Sequence, residues 1–209
     1  MSLRLRDALL ILFNLFPLAL VIDGAWRPFD VMAFYWLELA AVGVFALLGL
    51  VMAAFYDFYR KKTAAAVGYL LTAVFFPLHF GFFLVVLCFP VGSFLAEEAS
   101  SVTLTGPLVP MFAVIDNMNF WAVLPVVFAW QLFVFITDFV LPRRFAQEHP
   151  EILGSAYKNL FVFFISAFFG VAIGMQTGEL FWGAVILCVL KTVIAYAVSK
   201  NKPAESTAV

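Results

Sequence analysis

Polar residues are sparse along this chain, and long apolar runs separate them. The runs cover roughly 6–23, 30–57, 64–92, 119–141, 157–176 and 179–199. A helix needs about 20 apolar residues to cross the hydrocarbon of a bilayer. The runs do not alternate polar and apolar at every second position, as the strands of a transmembrane barrel would. The pattern therefore predicts an all-α, polytopic transmembrane bundle of six spans. Residues 1–200 form one membrane domain in this reading, and 201–209 form a disordered tail. The basic start and apolar stretch MSLRLRDALLILFNLFPLAL lack a small-x-small cleavage site and continue to Ile22. They read as the first span and not as a cleaved signal.

Composition agrees with this pattern. The chain is 65% hydrophobic and 12% charged, where a soluble domain is about half apolar and a quarter charged. Charge then supplies orientation. Arg4, Arg6, Arg60, Lys61, Lys62, Arg143, Arg144, Lys158, Lys200 and Lys202 fall on the termini and on alternate loops. The other loops carry Asp23, Asp30, Glu97, Glu98, Asp116 and Glu179, with Arg27 as their one basic residue. The positive-inside rule then places both termini in the cytoplasm. The compartment expected is a bacterial inner membrane, and the first partner is the lipid bilayer. The net charge of −1 and the lack of a basic patch outside the loops give no sign of nucleic-acid binding.

Two inner helix ends resemble each other. AFYDFYRKK at 54–62 and FITDFVLPRR at 135–144 each place Asp and Phe before a basic cluster. They read as interfacial anchors whose Asp pairs with nearby Lys or Arg. The outer connection over 93–119 is broken by Pro107 and Pro110, and its apolar piece Leu108–Ile115 is too short to span.

The polar residues inside the runs carry the candidate chemistry. Glu38 lies eight residues past Asp30, about 12 Å below the outer boundary, and His79 lies eleven before Pro90, about 16 Å below it. They occupy neighbouring spans at a similar level. Lys191 in the last span, Asn14 in the first and Gln131 in the fourth complete a set of five. A central charge costs on the order of 2.5–3.5 kcal/mol to insert, so convergence is expected, with Glu38 facing the interior and His79 or Lys191 as its partner. Such a group is an expected ion- or substrate-binding site. Glu38 and His79 with Asp116 form a second expectation, a shell for a divalent metal ion. Pro77 should kink its helix beside His79. Tyr35 and Trp36 offer donors to Glu38, although the tryptophans, with Trp26 and Trp121, fit an interfacial belt better.

The motifs that are missing narrow the function. Cys88 and Cys188 form no C-x-x-C pair. There is no Walker motif, G-x-S-x-G, H-E-x-x-H or twin-histidine haem spacing. No G-x-x-x-G marks a clear dimer face. FYWLEL at 34–39 and LHFGFF at 78–83 resemble signature stretches of a family of small bacterial integral membrane proteins of unknown function. Glu38 and His79 fall on matching positions, so the resemblance singles out the same two residues without supplying an activity. Some relatives in that family carry a second His one or two turns later, where this chain reads LVVLCF.

Three functions remain open at this stage. The first is a protein that moves or senses a small solute, proton or cation at Glu38 and His79. The second is a membrane-embedded, metal-dependent enzyme, and the third is a structural or assembly subunit with a buried polar pair. A homodimer is expected, because six short helices seldom enclose a pathway alone.

Overall fold

The computed structural model describes residues 3–98, 120–146 and 152–200, all in helices and short turns. In order these are α1 (Leu3–Ile22), α2 (Pro28–Tyr59), α3 (Thr63–Glu98), α4 (Phe120–Phe135), α5 (Ile152–Thr177) and α6 (Leu180–Lys200). A π-helical turn over Ile136–Val140 extends α4, and a single 3-10 turn follows at Arg144–Ala146. Four stretches are long and apolar enough to cross a membrane: Pro28–Tyr59, Thr63–Leu87, Trp121–Val140 and Ile152–Gly174. Asp7–Ile22 and Phe181–Ala197 are shorter apolar helices. No strand occurs among the described residues. Asp116, His149 and the 201–209 tail lie outside them.

The chain divides into two compact units, Met1–Met32 with Val162–Val209, and Ala33–Phe161. In the first, α1 packs on α6. The start of α2 belongs here and is capped from within. Pro28, which needs no hydrogen bond at its nitrogen, opens the helix. The Arg27 amide donates to Asp30 Oδ2 at 2.8 Å, and the Asp30 amide donates to the Arg27 carbonyl at 3.0 Å. The Arg27 guanidinium adds a 3.5 Å ion pair to Asp30. This is one arm of a capping box, with an acid where the helix dipole favours it.

α5 and α6 also meet in this unit. Gly178, at φ +71°, makes their short turn possible. Gly170 and Gly183 then let the two backbones touch. A Cβ on Gly183 would sit 2.5 Å from the Gly170 carbonyl oxygen, and Gly174 Cα lies 3.8 Å from the same point. Gly170 and Gly174 are thus a small-x-x-x-small pair. It is used within the chain, against the next helix.

The second unit is built around α2. Its small residues make a stripe on which neighbours settle: Ala41, Ala46, Ala53 and Ala54 are buried, as are Gly43 and Gly49. Phe80 of α3 packs against Gly43, where an added Cβ would be 2.7 Å from its ring. Ile152 of α5 and Phe139 after α4 close on Gly49 at 3.2 and 3.4 Å from the same hypothetical atom. Phe45 contacts the rings of Phe128 and Phe135 on α4. α2 is 32 residues long, about 48 Å. From Gly49 to Tyr59 it continues about 15 Å past the level where α5 begins.

α3 runs as one helix from Thr63 to Glu98, through Pro77. Its buried residues Ala66, Phe76, Phe80 and Leu87 form an inner stripe. Leu71, Val74, Phe75, Leu78 and Phe82 lie exposed on the outside.

The two similar inner ends share a backbone device, and the first of them does not form the expected ion pair. Lys61 and Arg143 both adopt positive φ, 59° and 52°. At the first, the Lys62 amide donates to the Asp57 carbonyl at 2.9 Å, which closes a Schellman turn. Among the described residues Asp57 forms no ion pair, and Arg60 lies 6.0 Å over the Tyr56 ring instead.

Gly43→Ala should lower stability in detergent by about 1–3 kcal/mol, because the buried Phe80 ring must move. Gly68→Ala, with nothing within 4 Å of its new atom, should leave the melting temperature unchanged or raised. Gly183→Ala should be the worst of the three, since backbone blocks it. Thermal melts of the three purified variants check the order.

Candidate functional site

Two polar constellations occur in the second unit, and they differ in character. The first is inside. Glu38 projects from the buried side of α2 and is 8% exposed, and Gln131 on α4 is 7% exposed. The Gln131 Nε2 amide donates to Glu38 Oε1 at 3.1 Å. The two positions are level: Glu38 is the eleventh residue of α2 and Gln131 the twelfth of α4. They therefore lie at about 15 and 17 Å along parallel helices. Around them α2 contributes Tyr35, Leu37, Leu39 and Ala41, all buried. Two residues before Glu38, the Trp36 indole N–H donates to the Leu84 carbonyl of α3 at 3.0 Å. Trp36 thus ties α2 to α3, which corrects its assignment to an interfacial belt. Trp121, 80% exposed, shows the exposure a belt residue needs.

An amide is a particular partner for a carboxyl. Its N–H₂ donates to the ionised form, and its carbonyl accepts from the O–H of the neutral form. The pair can therefore stay hydrogen-bonded in both protonation states.

The second constellation is outside. His79 is exposed, and its Nδ1 shares a 2.6 Å hydrogen bond with the Tyr157 hydroxyl of α5. Phe75 stacks on the imidazole at 5.3 Å between ring centroids, and Phe83 meets it edge-on at 5.1 Å. Tyr157 in turn sits edge-on to Phe76 and Phe80.

The expected Glu38–His79 pair is therefore not formed. Glu38 turns to Gln131, while His79 turns to Tyr157 and the exposed phenyl rings. The reason is rotational. Phe80 takes the inner stripe of α3, and its neighbour His79 is about 100° around the helix from it. The expected metal shell of Glu38, His79 and Asp116 has no support either. Two of its members are apart, and the third lies outside the described residues. Among the described residues no three His, Cys, Asp or Glu side chains gather.

Asn14 and Lys191 belong to the first unit. Asn14, 3% exposed, donates from Nδ2 to the Leu10 carbonyl of its own helix at 2.9 Å. Lys191 is buried on α6, beside Thr192, whose hydroxyl donates to the Cys188 carbonyl at 2.6 Å. Ser166 is a further buried polar side chain of this unit, and sequence reasoning did not single it out. Tyr157 was missed too, because a Tyr beside Lys158 near a helix start looks like an ordinary interfacial residue.

Gln131→Leu should cost about 1–3 kcal/mol of stability, the penalty for stripping a buried carboxyl of a donor. Trp36→Phe should cost about 1 kcal/mol. Chemical or thermal unfolding in detergent reads both, and a neutral result for Gln131→Leu would contradict the hydrogen bond.

Residues 1–208 match the model of a family of unknown function, DUF6498. No curated protein and no solved structure matches the chain.

Proposed function

The chain belongs to the DUF6498 family of unknown function, and we propose that it is a multi-pass membrane protein that loads and releases a proton at Glu38 in order to move or sense a small solute or cation. One observation supports this above the others. A carboxyl is buried between two apolar helices, with an amide as hydrogen-bond partner. Acids in such positions are costly and mark proton or ion pathways. The amide partner lets the carboxyl change charge without losing its bond.

In this reading Glu38 is the proton carrier and Gln131 positions it. Lys191 and Asn14 are buried polar candidates of the other unit. His79 is not part of the relay. Six spans with both termini in the cytoplasm, in a bacterial inner membrane, complete the proposal. They rest on the alternation of basic and acidic loops. The metal-dependent enzyme is the weaker alternative, because its ligands do not assemble among the described residues.

Proteoliposomes with a trapped pH dye and a valinomycin-clamped potassium gradient test the proposal. Wild-type protein should take up protons faster than protein-free vesicles. Glu38→Gln should slow uptake by roughly tenfold or more. His79→Leu should leave it unchanged. Wild-type uptake no faster than that of empty vesicles, or full uptake by Glu38→Gln, would overturn the proposal.

A further inference from the structure

An imidazole on the outer face of an apolar helix needs an explanation of its own. His79 lies 17 residues past Lys62 and 18 before Glu97, so it is about 26 Å along α3 from either charged end. With α3 read as a membrane span, the ring lies within the hydrocarbon, at the level of Tyr157 near the start of α5. Its neighbours on that face, Phe75, Leu78, Phe82 and Phe83, are all exposed and apolar. A polar nitrogen left bare in such a medium is costly.

The hydrogen bond to Tyr157 sets the chemistry of the outward nitrogen. Among the described residues the Tyr157 hydroxyl has one hydrogen bond, to His79 Nδ1. A phenol O–H in an apolar setting must donate, and the acceptor it has is Nδ1. In the tautomer in which this hydroxyl donates to Nδ1, Nε2 carries the ring proton. Among the described residues Nε2 meets no partner. In that tautomer α3 presents an N–H donor on its outer face, with the Phe75 ring stacked at 21° on one side and Phe83 edge-on nearby.

We infer that His79 and Tyr157 form a binding site, open to the membrane, for a flat carbonyl compound dissolved in the bilayer, of the quinone class. The donor calls for an acceptor, and a ring carbonyl is one. The aromatic surroundings suit a planar ring, which can stack or meet their edges. The depth favours a molecule that partitions into hydrocarbon over a phospholipid headgroup, which stays at the surface. Tyr157 is the positioning residue, since its hydroxyl shares Nδ1. The site is independent of Glu38 and involves binding alone.

The chain has two histidines, His79 and His149, so a His149→Gln background leaves one imidazole to observe. The experiment is nitrogen-15 NMR of histidine-labelled protein in nanodiscs, titrated with a decyl-substituted benzoquinone. Incorporation into the discs is itself the check on the span reading. The expected result is an Nε2–H tautomer before titration and a saturable shift of that signal with quinone. Tyr157→Phe should weaken the apparent affinity by about tenfold or less, the worth of one hydrogen bond. Glu38→Gln should leave the titration unchanged. Three results would overturn the inference. One is a shift that grows linearly without saturating. Another is a hydrogen-bonded Nε2–H in lipid alone, which would assign the site to a lipid ester. The third is a signal that moves with protein-to-lipid ratio without quinone, which would assign it to a second copy of the chain.

Discussion

A carboxyl inside an apolar bundle must be given a donor, and the hydrogen bond from Gln131 to Glu38 meets that demand. The arrangement of the second unit is consistent with this one contact. For the amide to reach, α4 must lie beside α2 at equal depth. That closeness is possible because α2 carries small residues where neighbours cross it. Phe80 rests on Gly43, and Ile152 on Gly49. In lipid the hydrophobic effect does little to press helices together, so close packing and polar contacts carry the association. Here the two are provided by the same helix.

The apolar runs read from the sequence overlap all six described helices, with ends shifted by a few residues. Position along the helix was legible as well: counting along the run puts Glu38 well inside α2. Rotation was not. α3 is apolar on every side, so nothing in its pattern says whether Phe80 or His79 faces inward. Depth alone brought Glu38 and His79 to one level, and the expected pair followed from it. Gln131 was among the five candidates, but an acid suggests a base as its partner before an amide. The crossing of Gly170 and Gly174 against Gly183 was also hidden, because a small-residue motif does not say whether its partner is another chain or the next helix.

The two polar constellations meet their environment in opposite ways. Glu38 is enclosed, and its partner suits either charge state. His79 is turned outward, and a hydroxyl shares its Nδ1. An enclosed carboxyl suits proton exchange, whereas an outward donor suits recognition of something that arrives through the membrane. Phe80 joins the two regions physically, since one buried ring packs against Gly43 and sits edge-on to Tyr157. That is spatial adjacency, and a coupling between the regions is a separate claim.

The most direct measurement of the central claim is a double-mutant cycle on the enclosed pair. Glu38→Met, Gln131→Met and the double variant would be unfolded reversibly in detergent beside the parent protein. If the amide donates to the carboxyl, the two single changes are non-additive, with a coupling of about 1 kcal/mol or more. Additivity to within about 0.3 kcal/mol would mean that the two side chains do not support one another.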